Sequence, residues 1–330
     1  MTTLDRRLSV APMMDWTDRH CRYFHRLLTE HTLLYTEMVT TGAILHGNTE
    51  RFLRYDEAEH PVALQLGGSN PQDLSACAKM AEERGYDEVN LNCGCPSDRV
   101  QNGSFGACLM LEPDLVADCI RAMQDACNIP VTVKCRIGVD DQDDYEDLQN
   151  FTDKLERAGL KTLIVHARKA WLKGLSPKEN REIPPLNYRR VYMLKREFSN
   201  MEIIINGGIE SLASGGEHLS FVDGVMIGRA AYQNPWMLSK ADALLFDNEP
   251  RQLQRVEVVE RLIPYIENAM SEGARLSSVC RHILGLFQGM PGAKRFRRIL
   301  SEQGHGPNAG IDVLKRAVAH FEAQSEPLEY

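Results

Sequence analysis

No run of about eighteen apolar residues occurs in this chain, which excludes a membrane-spanning helix. Residues 1–7 are polar and lack the apolar core of a secretory leader, so a cytoplasmic protein is expected. The nine cysteines are an odd number without the spacing of a small disulfide scaffold, and they read as reduced thiols in that compartment. A basic excess is also missing. The formal net charge of −8 argues against wholesale polyanion binding, so any nucleic-acid contact must use locally gathered cations. No Gly-x-Gly-x-x-Gly opens a helix, which weakens an open, doubly wound dinucleotide fold. Cys93-x-Cys95 lacks the two-residue spacing of zinc sites and no His or Cys pair completes four ligands, so no metal is expected. Asp140-Asp141-Gln142-Asp143-Asp144 lacks the glycine and terminal glutamate of a calcium loop. It is assigned instead to a helix N-terminus, where the dipole favours carboxylates. There is no solenoid repeat and no low-complexity tract.

What is present is a rhythm. Short apolar runs at 8–13, 33–39, 62–67, 88–92, 131–137, 162–167, 202–206 and 224–228 alternate with helix-like segments. Several runs are apolar throughout, as parallel strands covered on both faces should be. Asn70-Pro71 opens a helix that Gly85 closes, and Glu112-Pro113 opens another running to about Asn128. Eight strand–helix units in the first part of a 330-residue chain suit the usual ~250 residues of a (β/α)8 TIM barrel. After Trp236 the strands stop, and 251–272, 276–289, 293–302 and 309–323 read as helices. The expected division is a barrel over 1–238 and a C-terminal helical domain over 239–330.

In such barrels the strands' C-terminal ends carry the active site. Those ends supply Pro12-Met13-Met14, Gln65, Asn92 to Cys95, Lys134, His166-Ala167-Arg168, Asn206-Gly207-Gly208 and Gly228-Arg229. Gly94 and Pro96 make a sharp, stiff turn that holds the Cys95 thiol at the strand's lip, where it could hand over a proton. Gly207-Gly208 and Gly228-Arg229 lie after strands seven and eight, the common phosphate site of this fold, with backbone N–H groups and a guanidinium fork. The plainer reading is two tight turns and an incidental arginine. Lys134 and His166 could stabilise an anionic heteroaromatic cofactor. Alternatively, Lys134 pairs with a structural carboxylate, or acts as a Schiff-base nucleophile, and His166 is a core residue. Cys93 reads as a small core residue, and Cys21, Cys77, Cys119 and Cys127 as packing on helices. The connection from Arg168 to Asn187 is long enough to be functional, and its Ser176-Pro177-Lys178-Glu179 looks like a short helix start.

Together these pieces resemble the tRNA-dihydrouridine synthase family, and its A subfamily in particular. The matching residues are Ala11-Pro12-Met13, Asp15-Trp16-Thr17-Asp18, Tyr35-Thr36-Glu37-Met38 and Gln65-Leu66-Gly67, followed by Asn90-Leu91-Asn92-Cys93-Gly94-Cys95-Pro96-Ser97. Lys134-Cys135-Arg136-Ile137-Gly138, His166-Ala167-Arg168, Asn206-Gly207-Gly208 and Gly228-Arg229 follow in order. Cys93 is the one departure, standing where an apolar residue is usual. The resemblance implies an FMN-binding barrel, NADPH as the reductant of the flavin, and hydride transfer to C6 of uridines 20 and 20a in the tRNA D loop. It implies Cys95 as the acid that protonates C5. It implies flavin contacts from Pro12, Met13, Met14, Gln65, Lys134, His166, Asn206, Gly207, Gly208, Gly228 and Arg229. Asn92 and Arg168 would touch the uridine or the RNA backbone. The target base must be flipped out to reach a barrel mouth. Lys294-Arg295-Phe296-Arg297-Arg298, in an extension otherwise balanced in charge, would hold RNA, with Lys178 and Arg181 as a second jaw.

Three other readings compete. A flavin barrel acting on a free pyrimidine would need neither the basic helix nor the cationic loop. A Lys134-dependent aldolase would be colourless. An RNA-binding scaffold would not turn over NADPH.

Overall fold

The computed structural model describes residues 4–97, 104–306 and 308–322. Residue 323, the last of the expected helix 309–323, lies outside them. Eight parallel strands close into a barrel in sequence order. They are β1 (Leu8–Val10), β2 (Leu33–Thr40), β3 (Val62–Gly67), β4 (Glu88–Cys93), β5 (Val131–Arg136), β6 (Thr162–His166), β7 (Glu202–Asn206) and β8 (Gly224–Ile227). β8 pairs back to β1, with Leu8 opposite Val225 and Val10 opposite Ile227. The expected (β/α)8 barrel is the observed one.

All eight apolar runs became strands, with small differences at their ends. β1 stops at Val10 because Pro12 has no N–H to donate. The Ala11 N–H still reaches the Ile227 carbonyl at 2.8 Å. β5, β6 and β8 each end one residue before the expected end, where the backbone leaves the ladder. Both helix starts were legible. Asn70 caps Pro71–Glu83 by accepting from the Gln72 and Asp73 N–H groups, and Gly85, at φ +86°, turns the chain out. Pro113–Ala126 begins on its proline. The acidic run does end at a helix N-terminus, with Asp144 capping Tyr145–Arg157.

The chain forms two compact units, Met1–Asp15 with Thr32–Gly228, and Trp16–His31 with Arg229–Tyr330. The division therefore does not follow a single cut at 238/239. Residues 16–31 fold with the C-terminal helices because of contacts far apart in sequence. The buried Asp242 carboxylate accepts the Thr29 hydroxyl at 2.6 Å and the Glu30 N–H at 2.7 Å. Asp18 caps the helix Arg19–Leu28 and also pairs with Arg281 at 2.6 Å and His282 at 3.0 Å. The Trp16 and Tyr232 rings stack at 4.4 Å, and those of Tyr23 and Tyr265 at 3.9 Å.

Within this second unit, Arg255–Ser271, Ala293–Gln303 and Ile311–Glu322 are helices as expected. The expected helix 276–289 is not continuous. It is helical over Leu276–Cys280 and then winds through tighter turns, with the N–H of His282, Leu286 and Gln288 each reaching the carbonyl three residues back. Gly285 sits so close to the Gln233 carbonyl that a Cβ there would lie 2.2 Å from its oxygen. Among the described residues no helix is long and apolar enough to cross a membrane.

Candidate active site

Alternation along each strand decides which side chains enter the barrel. On β4 the inward set is Glu88, Asn90 and Asn92, and on β5 it is Thr132, Lys134 and Arg136. Register places Asn92 beside Lys134, Arg136 beside His166, and His166 beside Asn206. The interior is thus divided. Ala11, Leu33, Tyr35, Ala63, Ile164, Ile204 and Met226 form an apolar cluster. The column facing β3, β4 and β5 is polar.

The turn after β4 is held from both sides. Asn92 Oδ1 accepts the Gly94 N–H at 3.0 Å and the Cys95 N–H at 2.9 Å. The Gly94 carbonyl accepts from Arg136 Nε at 2.9 Å. The Cys95 carbonyl accepts the Ala107 N–H at 2.9 Å. The Cys95 thiol is partly exposed, whereas Cys93 on the strand is fully buried. Cys21, Cys77, Cys119 and Cys127 are buried as well. The turn therefore presents one sulfur to the space above the sheet.

Arg136 was missed as a site residue in the sequence, although it follows Lys134 at the same parity. Its guanidinium donates to three carbonyls, those of Gly94, Lys169 at 3.0 Å and Asn180 at 2.9 Å. It thereby ties the Cys95 turn to the long connection after β6. That connection is ordered from within by buried Asn180, which accepts the Trp171 N–H at 2.8 Å and donates to the Trp171 carbonyl at 2.9 Å. Ser176 and Glu179 cap each other reciprocally, at 2.8 and 3.3 Å, as the short helix start required. Asp143 of the acidic run anchors it further through Lys169 at 3.1 Å and holds Arg190 at 2.7 Å. Arg168 donates to the Pro184 carbonyl. Lys178 and Arg181 stand exposed on this connection.

Lys134 is half-buried, and no carboxylate pairs with it among the described residues. Burial, with Arg136 acting the same way, pulls its pKa from 10.5 to about 8, while Cys135 and Cys95 oppose the fall. The structural-carboxylate alternative for Lys134 thus fails. His166 Nδ1 is buried with no hydrogen-bond partner. Burial first, and then the cations Arg136, Lys134, Arg168 and Arg181, hold its pKa well below the ordinary value, so the ring is neutral. A lysine without a counter-ion among the described residues, near an unsatisfied imidazole nitrogen, suits an anionic or polar heteroaromatic partner.

At the end of β7 the backbone is shaped for close approach. Gly207 and Gly208 have φ of +110° and +68°. A Cβ on Gly208 would lie 2.5 Å from Leu186 Cδ1, and the Tyr188 hydroxyl donates to the Gly207 carbonyl at 2.8 Å. Asn206 Nδ2 donates to the Met226 carbonyl at 2.7 Å. Both φ values lie in the region that favours a residue without Cβ. Pro12 and Met13 are partly buried after β1, Met14 is exposed, Gln65 is buried on β3, and Gly228 ends the first unit. These residues fit a flavin mononucleotide. The cradle offers a half-buried lysine, an unsatisfied imidazole nitrogen and a glycine turn at the ends of β5, β6 and β7.

Arg229 is the first residue of the second unit and opens the short helix Arg229–Gln233. Lys294, Arg297 and Arg298 are exposed on the helix Ala293–Gln303, while Phe296 between them is buried against Phe287 and Phe321. Among the described residues no three His, Cys, Asp or Glu side chains converge as metal ligands would.

A closed parallel barrel with a thiol turn at one strand end and a cationic cradle at its neighbours defines an oxidoreductase-like site. The comparisons with known proteins narrow this. The family model described as dihydrouridine synthase matches residues 9–321, and the chain belongs to that family. A relative from Vibrio vulnificus, called tRNA-dihydrouridine(20/20a) synthase, is 63% identical over 95% of this chain and 96% of its own length. The proteins of that name from Shewanella oneidensis and Escherichia coli strain K12 are each 60% identical, over 95% and 94% of this chain and 93% and 90% of their own. The fold is also similar to TcOYE with pHBA (TM-score 0.54, 13% identity, 74% of this chain and 91% of that one). A 2-naphthoyl-CoA reductase complex gives a TM-score of 0.55 at 10% identity, over 72% of this chain and 50% of the other.

Proposed function

We propose that this chain is a cytoplasmic tRNA-dihydrouridine synthase that reduces uridines 20 and 20a of the D loop to 5,6-dihydrouridine with FMN and NADPH. The observation that carries the reading is the Cys95 turn, clamped by Asn92 and Arg136 beside an unpaired lysine and an unsatisfied histidine. Family membership and near-full-length relatives bearing that name support it.

Pro12, Met13, Met14, Gln65, Lys134, His166, Asn206, Gly207, Gly208, Gly228 and Arg229 would hold the flavin, with the glycine turn and Arg229 toward its phosphate. When bound, the flavin supplies a hydride to C6 of the uracil, having received one from NADPH. The chain's own residues do the rest. Hydride addition leaves negative charge shared between O4 and C5 of the base. Cys95 then gives its S–H proton to C5, forming the new C–H bond, and the thiolate regains a proton from solvent. Lys134 would place positive charge beside the flavin ring it helps to hold. The neutral His166 offers a hydrogen bond to the same ring. Asn92 keeps the cysteine turn in place and, with Arg168, contacts the uridine. Lys178 and Arg181 on the long connection, and Lys294, Arg297 and Arg298 on the second unit, neutralise phosphates of an RNA whose target base is swung out.

Cys95→Ala tests this. It should bind flavin and be reduced by NADPH while forming little dihydrouridine, read by mass analysis of the tRNA. Dihydrouridine formation at the wild-type rate would remove the acid role. Mass analysis of tRNA from cells lacking the protein should show uridine at positions 20 and 20a.

A further inference from the structure

We infer that Asn90, Thr132 and Glu88 are positioning residues that aim Cys95 through a one-way file of hydrogen bonds along the barrel interior. The file starts at the Gly94 and Cys95 N–H groups, which can only donate. It ends at the Glu88 carboxylate, which can only accept and which Arg6 Nε holds at 2.6 Å. Four buried side chains lie between. Asn92 spends its oxygen on the two turn N–H groups, so its Nδ2 donates to Gln65 Oε1 at 2.8 Å. Gln65 Nε2 then donates to Asn90 Oδ1 at 2.8 Å. Asn90 Nδ2 donates to Thr132 Oγ1 at 2.9 Å. The Thr132 hydroxyl donates to Glu88 Oε1 at 2.6 Å, where the Tyr35 hydroxyl also donates.

Each amide in this file accepts on one side and donates on the other. Turning any one of them around would set two oxygens, or two N–H groups, face to face at the next junction. In a buried column with no solvent to relieve it, that mismatch is costly. The orientation forced from the turn and the orientation forced from the carboxylate are therefore the same. A cation in the place of Glu88 would reverse it, leaving Asn92 to present Nδ2 to the Cys95 N–H. The ion pair at the foot of the barrel thus enforces, from the far end, the face that Asn92 shows to the cysteine turn. It likewise enforces the face that Gln65 shows to its neighbours. None of Asn90, Thr132 or Glu88 is a catalytic residue.

The functional meaning of this inference rests on Cys95 as the acid, but its test does not. Thr132→Val keeps the side-chain volume and removes the hydroxyl, leaving Asn90 Nδ2 and Glu88 Oε1 each one partner short. Hydrogen exchange in the flavin-loaded protein is then compared at the Gly94 and Cys95 amides and at the β7 amides Ile203 to Ile205, which report general opening of the barrel. The ratio of turn to β7 exchange should rise at least about fivefold, the factor that one typical net hydrogen bond is worth. Thr132→Ser should restore the wild-type ratio, and dihydrouridine formation should fall and recover in parallel. An unchanged ratio in Thr132→Val, or a Thr132→Ser ratio as high, would overturn the inference. Should Thr132→Val not fold, neutron diffraction from wild-type crystals reads the file directly. Deuterium must lie on Asn92 Nδ2 facing Gln65 and on Asn90 Nδ2 facing Thr132, and either amide reversed would overturn it. A fully active Cys95→Ala would defeat the catalytic reading while leaving the exchange result standing.

Discussion

Replacing Lys134 with methionine should make the flavin-free protein more stable. The lysine sits half-buried on β5, next to Arg136 and without a carboxylate partner among the described residues. Its pKa falls from 10.5 to about 8, with burial as the main cause. The direction sets the sign. The folded protein gives up this proton near pH 8, whereas the unfolded chain holds it until about 10.5. Across that window the unfolded state binds more protons, so wild-type stability rises with pH. Below pH 8 both states are charged and the burial penalty is present in full. At ~1.36 kcal/mol per pH unit, that penalty is about 3 kcal/mol. Methionine has a similar length and no charge, so Lys134→Met should gain about 2–3 kcal/mol at pH 7, and the gap should close by pH 10.5. The assay is urea unfolding of flavin-stripped wild type and variant at pH 7, 8, 9 and 10.5, under reducing conditions because the cysteines are free thiols. If Lys134 holds the flavin as proposed, the same variant should also be reduced by NADPH more slowly. A variant no more stable at pH 7, or a gap that stays constant from pH 8 to 10.5, would refute the reasoning. Either result would mean that the fold already compensates the charge.

Arg136→Lys should destabilise the protein by about 2–4 kcal/mol, because one ammonium cannot satisfy the carbonyls of Gly94, Lys169 and Asn180, and each buried carbonyl left unpaired costs about 1–3 kcal/mol. The shift should appear in the urea midpoint without a change in slope, and dihydrouridine formation should fall more than flavin content. Arg297→Gln with Arg298→Gln should lower the slope of log affinity for tRNA against log salt by roughly 1–2, with NADPH reduction of the flavin unaffected. Binding measured at several salt concentrations checks this, and a wild-type slope would remove these arginines from the RNA surface.

Much of the barrel was legible because its signals are short-range. Apolar runs of five to seven residues, Asn70-Pro71 before a helix and Gly85 after it, and the Ser176–Glu179 cap all act over a few residues, and each formed the local structure it specified. Gly207-Gly208 follows β7 as expected, and its positive φ values are ones a chain without Cβ atoms takes readily. The helix expected over 276–289 failed for a tertiary reason, the packing of Gly285 against the Gln233 carbonyl.

By itself, then, the sequence determined the eight strands, their order and the residues at their C-terminal ends. Periodicity and turn chemistry need no partner from elsewhere in the chain. Only the tertiary structure decided that Trp16–His31 fold with the C-terminal helices, because Thr29 and Asp242 are 213 positions apart and neither carries a local mark of the other. It also decided what fills the barrel. The strands read as apolar runs, yet the pairing of β3, β4 and β5 sets Glu88, Asn90 and Asn92 against Gln65 and Thr132, and these buried polar side chains satisfy one another there. A hydrogen bond requires both partners at about 3 Å, and the parallel register of β3, β4 and β5, which sets Gln65 beside Asn90 and Asn90 beside Thr132, brings them within that distance.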